Sequence, residues 1–140
     1  RAVGAAGHRD RPGGRLAVLE FSKPAPLPMH ACGRYHRNTL QYLLNVVYHP
    51  QRPHPAHRLD ANTTGVVLVT RTRYFASLLQ PQFEAGTISK SYLARIDARP
   101  PQPRFTCDAP ITEAPGETGS RTVAASGGLP ARTEFHELKT

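Results

Sequence analysis

The chain has 140 residues with 39% apolar and 20% charged types, the make-up of one ordinary globular domain. No apolar run approaches the roughly 18 residues of a membrane span. Eighteen Lys+Arg against ten Asp+Glu give +8, and only three of the eighteen are lysines, a guanidinium-rich balance that points to a polyanion, nucleic acid before an anionic membrane surface.

Residues 1–15 are small, basic and glycine-rich without periodicity, and read as a flexible basic arm. Leu16–Phe21 is a short apolar run that predicts a strand. Three prolines between Lys23 and Met29 require an extended loop. Asn38 is the expected N-cap of a helix whose buried stripe is Leu40, Leu43, Leu44 and Val47, ended by His49-Pro50. Gly65–Thr70 is apolar without alternation, so a strand buried on both faces is expected. Tyr74, Phe75, Leu78, Leu79 and Phe83 mark a second helix, kinked or split at Pro81 and stopped at Gly86. Ile88–Asp97 alternates with period two, which puts Lys90 and Tyr92 side by side on a face that is otherwise apolar. A Pro-rich connection over 98–104 follows, then a short strand at Arg121–Ala125 and a last one at Ala131–Leu138. Together these predict an α+β fold with a mixed, mainly antiparallel sheet flanked by helices.

Few residues offer chemistry. Cys32 and Cys107 are 75 residues apart with no C-x-x-C pair, which reads as free thiols in a reducing compartment. His54 and His57 are three apart and His30 and His36 six apart, so a metal site can be imagined, but prolines flank His54 and His57 belongs to the His57–Asp60 stretch. Surface or supporting histidines are expected, and no metal. The glutamates Glu113, Glu117, Glu134 and Glu137 form no pair that would argue for a two-carboxylate hydrolase. Arg71 and Arg73, just past the apolar strand, suit either phosphate contact or a solvated turn. Lys90 either pairs with a carboxylate such as Asp60 or carries its charge out to the sheet edge. Asp60 stands out among four aspartates because it follows His57-Arg58-Leu59 and leads into the buried strand. It is either a rigidly held reactive carboxylate or an Asx-turn cap for its own loop, and spacing alone leaves both open.

The stretch HRLDANTTGVVLV resembles the signature of the RluA-type pseudouridine synthases, commonly H-R-L-D-x-x-T-S-G followed by an apolar strand. Upstream, Lys23-Pro24 through Leu27 to His30 resembles the family's K-P-x-G-L-x-x-H segment. Downstream, Lys90-Ser91-Tyr92-Leu93-Ala94 resembles its K-x-Y-x-A strand, and Pro110-Ile111 and Ala131–Phe135 resemble its P-I and A-x-T-x-F elements. Ala61, Asn62 and Thr64 depart from the usual loop residues, and Ala25-Pro26 stands where a glycine is usual. The family's later G-R-T-H-x-I-R segment has no counterpart before Thr140. The chain is therefore expected to be a fragment, with residues 16–140 the N-terminal part of a catalytic domain.

The resemblance implies an enzyme that isomerises uridine in RNA, ribosomal or transfer, without cofactor or metal. It makes Asp60 and Tyr92 catalytic, with His57, Arg58 and Lys90 binding the substrate. No membrane and no obligate protein partner are expected, and the implied compartment is a bacterial cytoplasm or an organelle matrix. The rival expectation is an RNA-binding protein that keeps the fold without catalysis.

Overall fold

Six residues, Val18–Lys23, open the fold as strand β1, two residues later than the sequence predicts. The computed structural model describes residues 17–31, 36–114 and 121–138; the arm expected at 1–15, Leu16 and Cys32 lie outside them. The described residues divide into two compact units, the first ending at Lys90 and the second starting at Ser91.

In the first unit, helix α1 covers Leu40–Val47, strand β2 His54–Pro55, strand β3 Gly65–Thr70 and helix α2 Arg73–Glu84. The sheet order is β1-β3-β2 and every pairing is antiparallel. The register sets Leu19 opposite Val69, Phe21 opposite Val67 and Lys23 opposite Gly65. One face therefore gathers Leu19, Phe21, Val67 and Val69 against Met29, Leu40, Leu44 and Leu59, and this is the core. β2 is an edge strand of two residues, the position where Pro55, lacking an N–H, does least harm.

Several expectations are corrected. Thr39, not Asn38, caps α1: its backbone is extended and its Oγ accepts from the Tyr42 N–H at 3.2 Å. The carbonyls of Pro28 and Met29 take the Leu40 and Gln41 N–H groups at 2.9 and 3.0 Å, so the Pro-rich loop completes the helix start. Only Leu40 and Leu44 of the leucine stripe are buried, while Leu43 is exposed and Val47 is 74% exposed, because the one sheet face meets a narrow strip of helix. β3 is likewise not sealed on both faces, since Val66 is exposed. α2 runs through Pro81 as one element rather than two. Pro81 sits near the helix end, where the lost N–H removes a single rung. The helix stops as predicted: Gly86 adopts φ +68°, its N–H reaches Phe83 O at 3.3 Å, and the Thr87 N–H reaches Gln82 O at 3.1 Å.

The second unit holds strands β4 (Arg104–Cys107) and β5 (Thr133–His136), paired antiparallel with Phe105 stacked on Phe135 at 4.7 Å. Ile111 bridges both Val123 and Leu129, which is all that forms of the strand expected at 121–125. Cys107 is a free, half-buried thiol. Ile88–Asp97 is not a strand, for no neighbouring strand pairs with it among the described residues. On the face expected to be apolar, Tyr92 and Ile96 are each 60% exposed. No described helix is long and apolar enough to cross a membrane.

The units differ in charge. Described residues of the first carry seven Lys+Arg (Lys23, Arg37, Arg52, Arg58, Arg71, Arg73, Lys90) against Glu20, Asp60 and Glu84. Those of the second balance five arginines with five acids.

Candidate active site

The segment before β3 alternates its side chains: Leu59 turns into the core while Arg58 and Asp60 stay exposed on either side. Main chain, not the Asp60 side chain, closes the turn, the Thr63 N–H donating to Asp60 O at 3.1 Å. The Asp60 carboxylate accepts no hydrogen bond among the described residues, so the Asx-turn arrangement does not form. It is also the sole acidic side chain between Lys23 and Glu84.

Lys23 locks this turn. It is 1% exposed, yet its Nζ donates to Pro24 O at 3.1 Å, Leu27 O at 2.8 Å and Ala61 O at 3.1 Å, one carbonyl for each ammonium proton. The Leu27 N–H donates to the same Ala61 carbonyl at 2.9 Å. The Pro-rich loop and the Asp60 turn are thereby joined. Burial holds the Lys23 ammonium below its ordinary pKa, and the nearby Asp60 carboxylate opposes that shift. Lys23 is thus the buried lysine beside Asp60, whereas Lys90 is exposed. The sequence offers one sign of this, since Lys23 continues the inward alternation of Leu19 and Phe21.

His57 sits between β3 and α2. Its Nε2 accepts from the Leu68 N–H at 3.1 Å, and its ring stacks on Phe83 with centroids 4.3 Å apart. That nitrogen is committed to holding β3, while the neighbouring Arg58 side chain is exposed. Burial lowers the His57 pKa, a backbone hydrogen bond with Arg58 opposes this, and the Lys90 ammonium adds to it. Burial also lowers the His30 pKa, with the Arg58 guanidinium a second cause. In the first unit the Asp60 carboxylate thus acts on Lys23, the Arg58 guanidinium on His30, and the Lys90 ammonium on His57. Tyr92 belongs to the second unit.

The lowered His57 pKa has a sign. The unfolded imidazole, with an ordinary value near 6.5, takes up a proton before the folded one does. Its contribution to stability is complete above about pH 6.5 and falls as pH drops toward the depressed folded value. Urea midpoints measured at pH 7.5 and 5 are expected to differ less in His57→Asn than in the wild type. Equal differences would remove His57 as the titrating group.

An exposed carboxylate with free lone pairs on a rigid turn, flanked by cations, can attack an electrophilic carbon or take a proton from a polyanionic substrate. The family model described as RNA pseudouridylate synthase matches residues 17–140, and the chain belongs to that family. Among its relatives, pseudouridylate synthase RPUSD2 of Homo sapiens is 31% identical over 86% of this chain and 22% of its own length. RNA pseudouridine synthase 7 of Arabidopsis thaliana is 30% identical over 88% of this chain and 33% of its own. The chain thus spans a third or less of these two relatives. The solved structure of human RNA pseudouridylate synthase domain containing 4 shares the fold, with TM-score 0.59 at 21% identity over 92% of this chain and 51% of that one.

Proposed function

We propose that the chain is the Asp60-bearing part, residues 16–140, of the catalytic domain of an RluA-type RNA pseudouridine synthase. The observation that carries this reading is the Asp60 carboxylate, exposed and uncapped on a turn fixed by Lys23, in a member of this family. The reaction breaks the N1–C1′ bond of a uridine, turns the base, forms C5–C1′, and releases the C5 hydrogen while N1 gains a proton. Asp60 attacks the sugar or assists departure of the base, as carboxylates do at glycosidic carbons. Tyr92 supports the unstacked base and accepts the C5 proton. Arg58 and Lys90 bind the phosphate backbone, and His57 holds the segment that carries both Arg58 and Asp60. No electron or phosphoryl group moves, so neither cofactor nor metal is needed. Ribosomal and transfer RNA are both suitable substrates, and the bacterial cytoplasm or an organelle matrix both supply them.

The test is tritium release from RNA labelled at uridine C5, total cellular RNA serving as substrate. The protein as its gene encodes it is expected to release tritium, and Asp60→Asn to fall to background while still binding RNA. RNA binding by a folded wild type without release would instead support a non-catalytic RNA-binding protein.

A further inference from the structure

The end of β3 opposite Asp60 carries a second cationic surface. Arg71 follows the strand directly, its N–H bonded to Ala17 O at 3.0 Å and its guanidinium carbon 6.0 Å from the centroid of the Tyr48 ring. Its Nε is buried without a hydrogen-bond partner among the described residues. Arg73 is exposed and enters no ion pair among those residues. Beside it, Tyr74 is 66% exposed, its ring 5.3 Å from that of Phe75. Asp60 lies at the other end of the strand, and Glu20 on the paired strand β1, opposite Leu68, forms no ion pair with either arginine among the described residues.

Two guanidinium groups beside an open aromatic ring suit a single-stranded nucleic acid. Guanidinium forks take phosphate oxygens, and any base has a π-face to set on tyrosine. We propose that Arg71, Arg73 and Tyr74 form a second RNA contact, gripping a single-stranded segment of the substrate at a distance from the uridine held by Asp60. This rests on RNA being the substrate. The six residues of β3 separate the two sites by about 20 Å, or about six nucleotides at a stacking rise near 3.4 Å. Contact at both ends therefore favours RNA long enough to span them.

The test uses the whole protein with fluorescent oligouridylates of twenty and of four nucleotides. Arg73→Gln is expected to weaken binding of the long RNA about tenfold and to reduce its log–log salt slope by about 0.7, one single-strand phosphate contact. Tyr74→Ala is expected to weaken the same binding about tenfold with the slope unchanged, because stacking releases no counterions. Neither change should alter binding of the four-nucleotide RNA or the melting temperature, both side chains being exposed. Long RNA bound with wild-type affinity by both variants would overturn the proposal, as it must if the surface serves a protein partner. Equal losses on long and short RNA would also overturn it. Normal tritium release with unchanged variants defeats this surface alone; a wild type that neither binds RNA nor releases tritium defeats the RNA reading with it.

Discussion

Lys23→Met is expected to destabilise the first unit by about 2 kcal/mol, on the order of 8 °C in Tm for a unit of this size. Two effects compete. Removing a buried ammonium relieves a desolvation penalty of several kcal/mol. Against it stand three charge-assisted hydrogen bonds, each worth about 1.5–3 kcal/mol, and three carbonyls left short of a donor. Ala61 O keeps the Leu27 N–H, whereas Leu27 O and Pro24 O keep no bond of their own among the described residues. The loss of bonds therefore exceeds the relief. Methionine fills much of the lysine volume, so a cavity contributes little. A urea midpoint equal to that of the wild type would show that the carbonyls find water and that the lysine is dispensable.

Hydrogen exchange on this chain is expected to separate the two units by about a thousandfold or more. Every buried residue among those described lies in the first unit, including Val67 and Val69 at 0% exposure. β4 and β5 form a two-stranded sheet of four residues each, with Phe105 on Phe135 as its main apolar contact. A two-stranded ribbon is marginal in water. The ion pairs of Arg132 with Asp108 at 3.9 Å and Glu134 at 3.5 Å are exposed and add little. Amides of β4 and β5 should exchange almost as fast as free peptide while those of β3 stay protected. Protection within tenfold of β3 would mean that the second unit is held by more than its own contacts.

What the sequence makes legible is whatever depends on local chemistry. The apolar runs that become β1 and β3, the helix over 73–84 and its glycine stop each follow from propensity and capping alone. Partnership is not local, and it accounts for the misses. Ile88–Asp97 has the alternation of a strand, but alternation specifies faces and not a ladder partner. The two residues of β2 escape notice because prolines bracket His54, yet an edge needs few N–H donors. Which of four apolar positions on α1 are buried depends on how much sheet lies opposite them. At the site, the HRLD motif makes Asp60 conspicuous, whereas Lys23 reads as the start of a loop. Its part emerges only when the turn 38 residues away supplies a carbonyl.

The Lys23 anchor reaches the turn through the oxygen of Ala61 and touches no side chain there. Residues 61 and 62 are therefore free to drift. Any side chain at 61 leaves the same backbone carbonyl facing the same ammonium. Side chains at 61 and 62 can therefore change without moving the anchor, which insulates the placement of the Asp60 carboxylate from what its two neighbours carry.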